Sequence, residues 1–424
     1  MNNSDQTDLN IWSQRLITLT LVLLGVSFLG ILILGSYYNQ QITQALSFQA
    51  EDNFRCDTAY GVHCFGDFQE IRYALPTEGY PNVWVNSNNA YPPSALMPHV
   101  IAKVIQNLFG VQVALRTYLS FLTFCLVVPA LYAAKNVKAK YQQVLLFLIL
   151  SAFAQPVIAN LDRGNSAGLA IPFLMIFAIK FFKGSNFGAA IAIIGAAAIR
   201  PQYILLAIAF LAIRRFKYFS FSILGVGFAI LLPFLFWPGD TISNFESWYQ
   251  NLSGFSKQYN STVLADLSLS SVFRKSLETQ SYLAVSVAVL ILITITFMLL
   301  QTKNNRGRIL IATLCLPCLL PEVSFAYYAT FVLVIAAMII AHKNFLIDEQ
   351  DLIVASKNKA FQAKEFYNYF LITVIAISLS PLPFVFQVGR NSISLENFSI
   401  LWLIVIILTL ILQILEFRKV KILK

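Results

Sequence analysis

Apolar runs long enough to cross a bilayer recur along the whole chain, and short basic turns separate them. A spanning helix needs about 20 apolar residues. Such runs lie near 16–38, 111–134, 141–160, 165–182, 218–237, 281–301, 367–387 and 398–416. Two further apolar stretches are broken in the middle: 187–213 by Arg200-Pro201, and 309–341 by Pro317, Pro321 and Glu322. Only 12% of the 424 residues are charged, against about 25% in soluble domains. That excludes a soluble enzyme, a disordered chain and an ordinary nucleic-acid-binding domain. The expected fold class is all-α: a polytopic helical membrane protein, with residues 1–424 as a single integral-membrane domain. The net charge of +10 then belongs to membrane topology before nucleic acid.

The basic residues orient the runs. Lys135/Lys138/Lys140, Lys180/Lys183, Arg214/Arg215/Lys217, Lys303/Arg306/Arg308, Lys343 to Lys364 and the tail from Arg418 hold most of the 30 Lys and Arg. All fall on the cytoplasmic side at once if each broken stretch crosses an even number of times. Each is therefore read as a helical hairpin, with tips at Arg200-Pro201 and Pro321-Glu322. A continuous helix would instead place Arg200 at mid-membrane, at a cost of about 2.5–3.5 kcal/mol or more. The expectation is about twelve crossings with both termini cytoplasmic. The first run lacks a cleavage site and reads as an anchor, not a removed signal peptide.

The outer side then holds loop 39–110, with an apolar, interfacial stretch at 95–109, and loop 238–280. Cys56 and Cys64 lie in the first of these and form a candidate disulfide in an oxidising compartment; two free thiols are the alternative. Cys315 and Cys318 form a CxxC inside an apolar run and read as small buried side chains, as does Cys125. His63, His99 and His342 have no metal-ligand spacing, and no acidic cluster argues for a metal.

Ionisable groups near the membrane are functional candidates by default. On the outer side they are Asp67, Glu70, Asp162, Arg163, Arg200, Lys257, Arg274, Lys275 and Glu322. Carboxylates beside cations suit a substrate carrying a phosphate: cations clamp the leaving phosphate and a carboxylate takes a proton from an attacking hydroxyl. Each residue has a plainer reading. Asp67 as a solvated acid can cap a helix starting at Phe68. Arg163 can pair with Asp162 or snorkel. Glu322 can bond backbone freed by Pro321, and Arg274-Lys275 can touch lipid headgroups. Arg200 is harder to dismiss, since a Ser would serve a hairpin tip. Trp84 and Trp248, in outer loops, are candidate sugar-stacking rings.

Four segments carry a resemblance. GDFQEIRYALPTEGYPNVWVNSNNAYPPSAL, starting at Gly66, has an early acid and a late Tyr-Pro-Pro. LDRGNSAGL (161–169) is a short outer turn with a Gly and an Asn. AAIRPQYILL (197–206) holds a basic-Pro tip, and LLPEVSFAYYATFVLV (319–334) a late Pro-x-x-Ser-aromatic motif. Together they resemble the GT-C membrane glycosyltransferases, and glycosyltransferase family 87 in particular, over residues 10 to 340. The sequence departs from that family's usual pattern with Arg200 for Lys, Phe325 for Trp, and Tyr327-Tyr328 where a His is common.

The resemblance implies a polyprenyl-phosphate sugar donor, mannose or another hexose or pentose, and inverting transfer to a hydroxyl on the non-cytoplasmic face. Its implied setting is a bacterial inner membrane with the site facing the periplasm. Asp67 matches the catalytic base. Arg200 and Arg163 are assigned to the donor phosphate, and Glu322, Tyr328, Asp162, Glu70 and Tyr91 to the sugar and acceptor pocket. Tyr91, Pro92 and Pro93 also fix the start of the next helix. No cofactor or metal is implied; the partners are the lipid-linked donor, a glycolipid or glycan acceptor, and membrane lipids. The alternatives are a flippase or transporter of a lipid-linked sugar, and an O-antigen polymerase or ligase.

Overall fold

The computed structural model describes residues 9–37, 67–68, 83–84, 90–259, 268–270, 282–300, 306–321, 324, 326–346, 359–380, 387–388, 391–392 and 396–422. Its elements are helices, apart from a two-residue antiparallel ladder pairing Gln387–Val388 with Asn391–Ser392. The chain opens with α1 (Ile11–Tyr37). After the first loop come α2 (Pro93–Phe109), α3 (Val111–Leu126), α4 (Val128–Lys135), α5 (Lys140–Leu150) and α6 (Gln155–Arg163). A 3-10 turn, Ser166–Ala170, leads into α7 (Ile171–Phe182), followed by α8 (Asn186–Ile199). A second 3-10 segment, Pro201–Ala207, precedes α9 (Ile208–Ala212), and α10 (Phe216–Leu231) follows. Then come α11 (Thr241–Tyr259), α12 (Tyr282–Leu299), α13 (Arg306–Leu314) and α14 (Leu316–Leu319). A 3-10 turn, Ala326–Thr330, starts α15 (Phe331–Ala341), and α16 (Lys359–Leu379) and α17 (Glu396–Ile422) end the chain.

Among the described residues, four stretches are long and apolar enough to cross a membrane: Ile11–Gly30, Val111–Lys135, Phe216–Phe236 and Phe398–Leu415. The pair α5 and α6 makes a fifth if counted as one span, but it is bent by 50°. This corrects the continuous run expected over 141–160. Pro156, in the first turn of α6, has no N–H to extend the helix and clashes with the preceding turn, so the helix breaks after Leu150. Several other apolar helices are shorter, including Ser166–Phe182, Asn186–Ile199 and Pro201–Ala212. These helices make the chain a membrane protein.

The core is built around α15. Residues Phe331 to Ile340 are all buried, as expected of a helix apolar on every side. It packs against α4, α7 and α16. The small buried residues of α8 (Ala189, Ala190, Ala192, Ala196, Ala197) let α7 and α10 approach it closely, since short side chains bring helix axes together.

The basic turns gather at one end of this bundle. At the C-terminal end of α15, Ser13 donates to Ile339 O (3.3 Å), and Tyr132 Oη lies 2.9 Å from His342 Nε2. Nearby, Arg306 Nη1 donates to Phe181 O (2.6 Å) and the His342 ring packs on Phe182. The other end carries the described parts of loops 39–110 and 238–280. Val83, Trp84, Leu96, Phe234, Trp237 and Trp248 form a separate aromatic cluster. Trp84 Nε1 donates to Tyr91 O (2.8 Å), Trp248 Nε1 to Ala90 O (2.9 Å), and Asn251 Nδ2 to Trp84 O (2.8 Å). The two loops called outer are therefore clasped together. Trp84 (1% exposed) and Trp248 (7%) are packing residues, which corrects their reading as sugar platforms: their ring faces are covered and their N–H groups bond to main chain.

Candidate functional site

Arg200 is buried because of its neighbour. Pro201 disfavours helical dihedrals at the preceding residue, and Arg200 is extended (φ −141°, ψ 105°), ending α8. The second arm of the expected 187–213 hairpin restarts as a 3-10 helix at Pro201 and packs against α8, α10 and α14. The break thus lies where the sequence placed it, and it turns the guanidinium into the protein, where it is 2% exposed.

The LDRGNSAGL turn is shaped by Gly164. Its left-handed backbone (φ 64°, ψ 35°) suits a residue without Cβ. Asn165 N donates to Asn160 O (3.0 Å) and Gly164 N to Leu161 O (3.2 Å), the paired bonds of a Schellman stop. Asn165 then caps the following 3-10 turn: its Oδ1 accepts from Ala167 N (2.7 Å). This stop leaves Arg163 and Asn165 side by side.

Asp67 docks onto that turn from the first loop. Its N–H donates to Arg163 O (3.0 Å). Its carboxylate takes a two-point bond from Arg163, Nε to Oδ2 at 3.0 Å and Nη2 to Oδ1 at 3.2 Å. Asn165 Nδ2 adds a third at 2.6 Å, and Arg200 Nη2 donates to Asn165 Oδ1 at 2.7 Å. Asn165 thereby links the carboxylate to the second guanidinium. Asp67 is 7% exposed and Arg163 3%. So Asp67 is not solvated, the residues beyond Phe68 of a helix it could cap lie outside the described residues, and Arg163 pairs with Asp67 instead of the expected alternative, Asp162. Burial pushes the Asp67 carboxyl up, but the Arg163 charge and bonds, Asn165 and Arg200 together hold it below the usual carboxylate range. It is ionised at neutral pH.

Tyrosines wall the cluster. The Arg200 Cζ lies 4.3 Å from the Tyr91 ring centroid and 5.6 Å from that of Tyr328; Arg163 lies 5.4 Å from that of Tyr327. Asn160 Nδ2 donates to Tyr327 O (2.9 Å), fastening the 3-10 turn of the late motif to α6. All four motifs thus meet at one place. Asp162 is buried there too, at 6% exposure. Glu70, Glu322, Cys56, Cys64, Arg274 and Lys275 lie outside the described residues. Cys125, Cys315 and Cys318 are buried and form no disulfide among the described residues; Cys318 Sγ accepts from Ser324 Oγ at 3.5 Å.

Three residues here, Asn165, His99 and Tyr118, were assigned no site role from the sequence. Asn165 is the bridge, and its signal was an Asn after Gly at a helix stop, a capping pattern. His99 and Tyr118 stack at 5.6 Å, and Phe68, the neighbour of Asp67, packs on Tyr118 at 5.3 Å. His99 shares the buried face of α2 with Ala95 and Ala102, a spacing of four and three that marks one helix side. Burial and Arg200 push its imidazole down to about 4, against the pull of Asp67, so it is neutral at pH 7. Among the described residues, His99 Nδ1 and Tyr118 Oη are buried without a hydrogen-bond partner, as is Arg200 Nε.

Arg200 is the costliest of these groups. Among the described residues its partners are neutral: the Asn165 amide and tyrosine rings. It has no direct carboxylate contact among the described residues, the Asp67 charge acting on it only across Asn165, and burying a guanidinium without a direct ion pair costs on the order of several kcal/mol. The arrangement suits an anionic ligand group beside Arg200, within the reach of a fixed, ionised carboxylate.

The sequence model of glycosyltransferase family 87 matches residues 89–321. That range holds Tyr91, Asp162, Arg163, Asn165 and Arg200; Asp67 and Tyr328 flank it and are brought in by the fold. No curated protein and no solved structure matched the chain.

Proposed function

The chain belongs to glycosyltransferase family 87, and on that premise we propose that it moves a sugar from a polyprenyl-phosphate donor to a hydroxyl acceptor with inversion at the anomeric carbon. The carrying observation is Arg200: a buried guanidinium whose Nε has no partner among the described residues, joined to Asp67 through Asn165. Arg200 binds the donor phosphate. Asp67 faces the acceptor hydroxyl. The hydroxyl oxygen bonds to the anomeric carbon, the bond from that carbon to the phosphate oxygen breaks, and the hydroxyl proton passes to Asp67. The polyprenyl phosphate leaves with both bond electrons, its charge met by Arg200. No metal is needed in this scheme, because guanidinium groups stabilise a monophosphate leaving group.

Arg163 receives a changed role. With Nε and Nη2 committed to Asp67, it orients the carboxylate and keeps it ionised, and adds positive charge at the phosphate side. A carboxylate of lowered basicity accepts the proton late, once bond formation has made the hydroxyl acidic. Tyr91, Tyr327 and Tyr328 wall the sugar, with Asp162, Glu70 and Glu322 assigned to sugar and acceptor hydroxyls. The twelve-crossing topology, with both termini cytoplasmic and this site on the non-cytoplasmic face, belongs to the same proposal. Its support is that the basic turns and the outer-loop clasp lie at opposite ends of α15.

A transfer assay tests it, with purified protein in lipid, a panel of radiolabelled polyprenyl-phosphate sugars, and membrane extract supplying the acceptor. Asp67→Asn is expected to lose about 10²–10⁴-fold in turnover while donor binding persists. Equal turnover in both proteins removes Asp67 as base. Donor binding without transfer by the native protein would favour a lipid-linked sugar transporter.

A further inference from the structure

At the end of the bundle away from Asp67, α1 and α16 leave a groove of about 500 Å³. The two ends are separated by α15, whose eleven residues span about 16 Å. The groove is lined by Gln14, Arg15, Thr18, Leu19, Val22 and Tyr369, with Ile11, Ile372 and Thr373 beside them. Its lining changes character along its length. Gln14, Arg15 and Thr18 lie on the first turns of α1. Leu19, Val22 and Ile372 lie further along both helices, towards the bundle's middle.

Arg15 is held in place there. Its Cζ lies 4.8 Å from the Trp12 ring centroid and 4.4 Å from that of Tyr369, and those two rings meet edge-on at 5.1 Å and 81°. Cation–π contact fixes a guanidinium without neutralising its charge or using its N–H groups. Among the described residues Arg15 has no hydrogen bond and no carboxylate partner. Both helices are apolar at their outward faces, with Val22 55% exposed, so the open side of the groove meets lipid.

We propose that this groove binds one anionic glycerophospholipid, its headgroup phosphate on Arg15 and an acyl chain along Leu19, Val22 and Ile372. The polar end has a fixed cation, the other end is apolar, and their order along α1 matches headgroup then chain. Arg–phosphate bonds are charge-assisted and among the stronger polar contacts. A net negative headgroup matches an unpaired cation where a zwitterionic one brings its own. The site is distinct from the donor site and does not depend on the proposed reaction.

Native mass spectrometry of the full chain in detergent, titrated with phosphatidylglycerol or phosphatidylcholine, tests it. The native protein is expected to retain one phosphatidylglycerol, and Arg15→Gln to reduce its occupancy about tenfold. Val22→Trp, which fills the apolar end and leaves the charge, is expected to reduce it as well. Arg200→Gln should retain it. Equal occupancy in the native protein and Arg15→Gln, unchanged occupancy in Val22→Trp, or phosphatidylcholine held as well as phosphatidylglycerol, would each overturn the proposal. Loss in Arg200→Gln alone would place the lipid in the Asp67 site, overturning this inference and leaving the glycosyltransferase reading intact.

Discussion

The two ends of the bundle use arginine differently. At the end of the basic turns, Arg306 donates to Phe181 O and Arg214 to Met298 O (3.0 Å through Nε), so each meets carbonyls at the last turn of another helix. Cations there complement the helix dipole for about 0.3–1 kcal/mol each. At the other end, Arg163 and Arg200 meet side chains, a carboxylate and the amide that bridges to it, at 3% and 2% exposure. Surface capping is cheap to form and explains topology. Burying two guanidinium groups costs far more, and among the described residues bonding within the cluster leaves Arg200 Nε unmatched. The difference separates arginines that hold helices in place from arginines kept for a ligand.

The sharpest way to break this contrast is Arg163→Gln. It leaves Asp67 buried without its charge partner, and such losses cost about 3–5 kcal/mol. The pH dependence should also reverse. In the native protein the folded Asp67 lies below its ordinary value of 3.8. Its contribution is therefore fully present above that value and lost as pH falls through the folded pKa. Without Arg163, burial dominates and raises the carboxyl, so stability falls as pH rises above that ordinary value. Thermal unfolding from pH 4 to 8 measures both effects, and Asp67→Asn combined with Arg163→Gln should recover most of the loss. Equal unfolding temperatures at pH 7 for native and single variant would show that the pair does not hold the fold.

Arg200→Gln comes next. It should lower kcat/KM by about 10²–10³-fold, the scale of one lost electrostatic stabiliser, with little loss of folding stability because Arg200 has neutral partners. Arg200→Lys should recover part of the activity: it restores the charge without the planar donor fork. A Gln variant with native kcat/KM would place Arg200 among the structural arginines.

The contrast was only half legible in the sequence. The basic turns were readable because topology depends on charge count and position along the chain, and the break at Arg200-Pro201 followed from proline geometry. Asp67, Arg163, Arg200 and Tyr328 could be named because each lies in a short motif. Their pairing could not, since Asp67 and Arg163 are 96 positions apart and Arg163 had a nearer carboxylate in Asp162. The Asn165 bridge was hidden for another reason. An Asn after a Gly reads first as a turn residue, and only the fold brings Arg200 to its other side. Likewise Trp84 and Trp248 look the same in sequence whether they stack sugars or pack loops; their ring burial decides it.

Gly168→Ala tests how tightly the turn beneath Asn165 is packed. A Cβ there would lie 2.6 Å from Leu122 Cδ1, 3.0 Å from Leu126 Cδ2 and 3.1 Å from Asn160 Oδ1. Overpacking of this kind costs about 1–3 kcal/mol. The strain falls on the turn that Asn165 caps, so turnover should drop as well as unfolding temperature. Leu122→Val in the same chain should relieve part of both. Loss of stability with unchanged turnover would show that the Asn165 bridge tolerates movement.

The smallest effect is expected from Arg306→Gln, and it is the control that gives the others meaning. Arg306 sits 5.5 Å from the Phe181 ring centroid and donates to the carbonyl of the same residue. Its removal should cost about 0.3–1 kcal/mol of stability, because water or the new amide can meet that carbonyl at the helix end. Turnover should stay within about twofold, a change of less than 0.5 kcal/mol in the barrier. Arg306 and Arg200 are then separated by kinetics, although both are single arginines removed from one bundle. A large fall in turnover with Arg306→Gln would mean that the basic end is coupled to the reaction, and the division of the arginines into two kinds would fail.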